Sequence, residues 1–175
     1  MHDLFSMIER TLILLKPDAV MRGIVGEILS RFEKVGLKIV GTKMVRPDKD
    51  FYFHHYETIG KMVSRRGQKV FDVQLEVMTA GPVIAVVLEG IEAVSLVRKM
   101  VGATNPKEAL PGTIRGDYSH MSFSYADHIG QGLPNTIHAS GDPEEAKMEI
   151  NHWFSENELY DYQKAEHEFI YGMKK

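Results

Sequence analysis

The apolar positions along the chain recur with two periods, and their order sketches a fold. Residues 11–15, Thr-Leu-Ile-Leu-Leu, are stopped by Lys16-Pro17-Asp18, the pattern of a central strand buried on both faces with a lysine at its mouth. Across residues 23–35, Ile24, Ile28, Leu29 and Phe32 recur at helical spacing, and Gly36 supplies the stop. Residues 37–45 open with alternation (Leu37, Lys38, Ile39) and end before Pro47, which gives a second strand and a β-α-β start. A helix is expected over residues 48–59, carrying Phe51, His55 and Tyr56. After a basic stretch at 61–69, a shorter helix carries Phe71, Leu75 and Met78. Residues 82–88 are apolar again and read as a third strand. In the helix expected over 91–101 the stripe is Val94, Val97 and Val101, and Arg98 lies on its edge, where an arginine either snorkels to solvent or offers a cation.

Residues 102–134 show no convincing period and read as one long loop, which compact domains rarely carry without a use. Its first half is rich in glycine and proline and offers backbone N–H groups, Thr104, Thr113 and Arg115 to an oxyanion. A strand or turn follows at 135–138. Asp142-Pro143-Glu144-Glu145 then supplies an N-cap, a proline at the first helical position and an acid placed to close a capping box, so a helix starts at Pro143. Ala146, Ile150 and Trp153 mark its core-facing stripe, and Glu149 falls on the same stripe. A buried carboxylate needs a partner, and His138 is the nearest candidate. The pair is either a tolerated acid beside an ordinary histidine, or a carboxylate that holds one ring nitrogen and leaves the other free to act. In the tail, residues 155–175, Leu159, Tyr160, Phe169 and Tyr171 are the expected docking points.

Composition sets limits on this picture. A chain of 175 residues, 43% hydrophobic, is expected to be one domain spanning 1–175, with 1–8 as a short N-terminal extension. A net charge of -3 gives no general attraction to nucleic acid or an anionic membrane, so an anion site must be a local cluster. Nucleic acid is further disfavoured because no Lys/Arg-Gly-Phe/Tyr pattern occurs. Without cysteine there are no disulfides, no thiolate chemistry and none of the usual structural zinc ligands. The first residues lack the apolar run of a secretory signal, and no run reaches a membrane span, so a soluble cytoplasmic protein is expected.

The polar groups at the ends of apolar elements and in the long loop are Lys16, Tyr56, Arg98, Thr104, Arg115, Asn135, His138 and Glu149. Cations, neutral donors, a histidine and its carboxylate describe a phosphate site with a nitrogen nucleophile, because phosphoryl transfer needs positioning and charge stabilisation of the non-bridging oxygens. No Gly-x-x-x-x-Gly-Lys-Ser/Thr is present, so this is not a P-loop. Other groups have plainer readings. His54 and His55 are adjacent and face opposite ways, one solvated and one packed. His120, Asp127 and His128 could meet a divalent ion, although glycine-rich loops often bring such residues near each other without one. Ser140 is too close to His138 along the chain for a Ser-His relay, and Lys61, Arg65, Arg66 and Lys69 read as a solvated basic turn, with an anionic partner or a nucleotide tail as the alternative.

Four stretches carry a resemblance: Glu9-Arg-Thr-Leu-Ile-Leu-Leu-Lys16-Pro-Asp18, Gly102-Ala-Thr104-Asn-Pro106, Pro111-Gly-Thr-Ile-Arg115-Gly-Asp117 and Asn135-x-x-His138-Ala-Ser140. In this order, with a glutamate eleven residues after the histidine, the chain resembles the nucleoside diphosphate kinase family from about Glu9 to Tyr171. The resemblance implies a ferredoxin-like βαββαβ fold of the α/β class, a four-stranded antiparallel sheet covered by helices. It implies a ping-pong reaction in which His138 takes the γ-phosphoryl group of a nucleoside triphosphate such as ATP or GTP, becomes a phosphohistidine and passes the group to a nucleoside diphosphate. Lys16, Arg98, Thr104 and Arg115 would hold phosphates, Tyr56 and Asn135 would line the site, and Glu149 would orient His138. Mg2+ would arrive on the nucleotide phosphates, with no metal site built by the protein. Assembly as a homo-hexamer or homo-tetramer is implied too, with trimer contacts around Pro106.

The chain departs from the family pattern in three places. The phenylalanine on which the family stacks the base corresponds to Val70, with Phe71 beside it. The stretch between Tyr118 and Asn135 is about ten residues longer than usual, and 61–69 is several residues longer; both are expected near the nucleotide cleft. Ser140-Gly141-Asp142 shifts the family's acid by one position. A nucleotide-binding regulatory or scaffold relative with little turnover is the alternative reading, but a scaffold would need neither the nucleophile nor its glutamate.

Overall fold

The structure is a computed structural model that describes residues 7–172. Its centre is one sheet of four strands, β1 (Ile8–Leu15), β2 (Lys38–Val45), β3 (Val83–Ile91) and β4 (Ile137–Ala139), in the order β2-β3-β1-β4 with every neighbouring pair antiparallel. This is the ferredoxin-like arrangement that the resemblance implied. The strands with unbroken apolar runs, β1 and β3, take the two central places, where both faces are covered. Along β1 the side chains alternate: Ile13 and Leu15 join one core with Phe32, Val97 and Ile114, and Leu12 and Leu14 join the other with Phe71, Met78 and Trp153.

Helices cover both faces. The helix expected over 23–35 is α2 (Val25–Lys34), and a further short helix, α1 (Pro17–Met21), precedes it, too short to show a period and starting on a proline. The helix expected over 48–59 is α3 (Lys49–Phe53), capped by the Asp48 side chain accepting from the Phe51 N–H at 2.8 Å, and it runs on into a π-helical turn, His54–Ile59. The basic stretch is not a turn: it holds α4 (Met62–Arg66), followed by α5 (Gln68–Thr79). α6 (Ala93–Val101) starts two residues later than expected because β3 runs to Ile91.

The long loop is also more ordered than its sequence indicates. It contains a 3-10 turn (Pro106–Glu108), α7 (Ile114–Tyr118) capped by Thr113, and α8 (Phe123–Ile129) capped by Ser122. Pieces of three to seven residues make too few turns for an apolar stripe to repeat. α9 (Pro143–Trp153) begins where expected, with Asp142 accepting from the Glu145 N–H at 2.8 Å. The capping box does not close: the Glu145 carboxylate lies against Gly141 instead of accepting from the Asp142 N–H. In the tail, a 3-10 turn (Glu156–Glu158) leads to α10 (His167–Tyr171). Leu159 packs on the core, but Tyr160 and Phe169 are exposed, at 67% and 93%, and so do not dock there; the Tyr171 side chain lies outside the described groups.

Candidate active site

The site lies where β1 ends beside the start of β4. β4 is in register with His138 opposite Leu14, and the Lys16 N–H extends the ladder to the Thr136 carbonyl at 2.9 Å. His138 therefore projects on the same face of the sheet as Leu14, the face that α9 covers. Its Nε2 lies 2.7 Å from Glu149 Oε1, and the other carboxylate oxygen accepts from the Ser140 hydroxyl at 2.6 Å. Burial works against the Glu149 charge, but the His138 ring and the Ser140 hydroxyl outweigh it and hold the pKa down at about 2. A carboxylate at Nε2 makes that nitrogen the N–H donor, so the lone pair of the neutral ring is on Nδ1. Nδ1 has no hydrogen bond among the described residues.

Behind the pair stands His55, fully buried on the π turn. Its Nδ1 accepts from Trp153 Nε1 at 3.2 Å and lies 3.6 Å from Glu149 Oε1, and burial lowers its pKa to about 3, so the ring is neutral. His54, its neighbour, is exposed, as the opposite-face reading expected. His55, His138 and Glu149 are the group of metal-ligating side chains that comes together among the described residues; His120, Asp127 and His128 do not.

In front of His138 opens a cleft of about 620 Å³, within the range of small-molecule sites. Lys16, Arg98, Thr104, Arg115, Asn135 and His138 all line it. The Lys16 ammonium is buried and donates to Asn135 Oδ1 at 2.7 Å, and Asn135 Nδ2 donates to the Thr104 carbonyl at 2.9 Å. Burial and the nearby Arg115 push the lysine down to about 7, against the opposing pull of the Asp18 carboxylate. Arg115 donates to the carbonyls of Asn135, Gly102 and Ile137 at 3.2, 2.9 and 2.6 Å, so it ties the loop to β4 as well as supplying charge. Arg98 reaches the Ser140 carbonyl at 3.4 Å and lines the cleft while staying exposed to solvent. Tyr56 is buried at the cleft wall, its hydroxyl accepting from Gln74 Nε2 at 3.1 Å.

The nucleoside diphosphate kinase family model matches residues 9–159. The chain belongs to the nucleoside diphosphate kinase family. Among curated relatives, the nucleoside diphosphate kinase of Pyrococcus furiosus is 47% identical over 168 residues, 96% of each chain. That of Thermococcus kodakarensis is 48% identical over 91% of this chain and 84% of its own. Among solved structures, a transition state mimic of the Borrelia burgdorferi nucleoside diphosphate kinase with bound vanadate and ADP superposes with a TM-score of 0.92 at 40% identity, covering 96% of this chain and 99% of that one. A halophilic nucleoside diphosphate kinase from Halobacterium salinarum in complex with CDP gives 0.78 at 36% identity, covering 93% and 97%.

Against the nucleoside diphosphate kinase pattern, the two positions expected near the base separate. Val70 lines the cleft, whereas Phe71 points into the core, 4% exposed and edge-on to Phe53 at 5.7 Å, and is not available to a ligand. The charged positions of the basic stretch 61–69 are exposed, and two of them, Arg65 and Arg66, also line the cleft, whereas Lys61 and Lys69 do not. Sequence reasoning gave no role to Asp18, Gln74 or Phe123, weighed Asp127 only as a metal ligand, and weighed Ser140 only as a nucleophile. Ser140 stood inside the quoted histidine stretch, where a hydroxyl two residues from His138 in an extended strand points to the same side; that signal was available.

Proposed function

We infer that this chain is a nucleoside diphosphate kinase that works by ping-pong transfer through His138. The observation that carries the reading is the His138 ring fixed at Nε2 by buried Glu149, with Nδ1 open to a cleft that gathers Lys16, Arg98 and Arg115. In the first half-reaction the Nδ1 lone pair attacks the γ-phosphorus of a nucleoside triphosphate, the bond to the β-bridging oxygen breaks, and the nucleoside diphosphate leaves. The ring then carries positive charge, which the Glu149 carboxylate balances through the Nε2 proton without taking it. In the second half-reaction a terminal oxygen of another nucleoside diphosphate attacks the same phosphorus, and Nδ1 leaves with its lone pair. Lys16, Arg98 and Arg115, with Thr104 at the rim, stabilise the charge on the phosphoryl oxygens, and a phosphate beside Lys16 keeps its ammonium protonated. Asn135 and Tyr56 shape the wall against which the sugar and the transferred group rest.

Mg2+ fits this site as an ion brought in on the nucleotide. Cations line the cleft, and the His55–His138–Glu149 group offers two ring nitrogens and one carboxylate already engaged by His138 and Ser140, which is not an oxygen cage. When bound, the ion would draw charge from the phosphate oxygens. We also propose a cytoplasmic protein that assembles as a homo-hexamer or homo-tetramer. Support comes from family kinship, from Leu110 standing 72% exposed near the Pro106 turn, and from the fact that no helix among the described residues is long and apolar enough to cross a membrane.

The test is incubation with γ-labelled ATP and Mg2+, followed by a chase with unlabelled GDP or CDP. The expected outcome is a phosphoenzyme that is labile to acid and stable to base, is discharged by either diphosphate, and is absent in His138→Ala. A parent protein that takes no label would overturn the reading.

A further inference from the structure

The cleft has an inner end of cations around His138 and an outer end of different chemistry. The outer walls are α4 with Arg66, α5 with Val70 and Val73, and α8 with Phe123. Phe123 has no place in either core and is 37% exposed at the cleft, with the Arg66 guanidinium over its ring, 6.0 Å from the centroid. An aromatic ring left open to a cavity and backed by a planar cation offers a stacking surface.

The ring is also fixed in position, which a binding surface requires. The start of α8 is held by the Ser122 cap, by the Phe123 N–H donating to Asn105 Oδ1 at 3.3 Å, and by the Lys107 N–H donating to the Met121 carbonyl at 3.0 Å. Beyond its end, Gly132 lies so close to α5 that an added Cβ would sit 2.3 Å from the Val73 carbonyl oxygen and 2.5 Å from Val77 Cγ2. Backbone contact at that glycine locks the α8 segment to the α5 wall. Phe71 cannot serve the same purpose because it is buried, and Val70 presents an apolar surface without a π face.

We propose that Phe123 of α8, backed by Arg66 of α4, is the platform on which the nucleobase of the substrate stacks, with Val70 closing the opposite side. This rests on the nucleotide reading above. Every base has a π face, so a platform of this kind holds purines and pyrimidines alike and restricts base choice little.

The test measures binding of ADP, CDP and tripolyphosphate, which has no base, to the full-length protein and its Phe123 variants. Phe123→Ala is expected to weaken both nucleotides about tenfold or more and to leave tripolyphosphate within about twofold. Phe123→Tyr should bind nucleotides like the parent, and Phe123→Leu, which keeps the apolar bulk and the fold, should behave like the alanine variant. Parental nucleotide affinity in Phe123→Leu, or an equal loss of nucleotides and tripolyphosphate in either truncated variant, would overturn the proposal. Failure of the kinase reading would show separately, as a parent protein that takes no label from ATP.

Discussion

Glu149 is the residue whose position explains most of the chemistry. An acid 1% exposed on a core-facing stripe is costly alone, and it is kept ionised by His138 on one oxygen and Ser140 on the other. Its effect on His138 is on tautomer and orientation, so it should be felt in the reaction and not in binding. Glu149→Gln is expected to slow phosphoenzyme formation about 10- to 100-fold, the loss of one charge-assisted hydrogen bond, with ADP affinity unchanged. Rapid-quench kinetics beside equilibrium binding would show it; weaker binding with a parental rate would assign the carboxylate to substrate. The position of Glu149 was legible because helical spacing places it between Ala146 and Trp153. His55 was not, since it reaches the pair through Trp153, 98 residues away, and Lys16 meets Asn135 across 119. Contacts that distant leave no periodic trace in a sequence.

At the level of elements, the strands and the longer helices were readable from apolar runs, stripes and caps, and the short helices of the loop and of the basic stretch were not. The start of β4 shows a further constraint. Thr136 has φ of 72°, a left-handed backbone that a β-branched residue rarely takes, and it stands two residues before His138. Its N–H donates to Asp18 Oδ2 at 3.0 Å and its carbonyl accepts from the Lys16 N–H at 2.9 Å, so the turn after β1 holds the bend from both sides. Asp18→Ala is expected to destabilise the fold by about 1.5–3 kcal/mol, as loss of a hydrogen bond to a charged group, and to lower the exchange rate by letting β4 shift. Urea unfolding and steady-state kinetics would detect both; parental values in each would mean that Asp18 does not hold the bend.

Across the whole molecule, the net charge of -3 conceals a cleft with a strongly cationic inner end, and the sheet places that end where β1 stops and β4 starts. One face of the sheet, with α3, the π turn, α5 and α9, supplies His55, Tyr56 and Glu149, while Arg98 and Arg115 come from α6 and α7. α4 and α8 add an outer wall to the same cleft. All of this converges on one atom, because Glu149 holds Nε2 and leaves Nδ1 without a hydrogen bond among the described residues. The most direct measurement is to phosphorylate the protein with ATP, digest it in base, and determine which phosphohistidine isomer His138 carries. Phosphate on Nδ1 is the expected result; phosphate on Nε2, or on a residue other than His138, would contradict it.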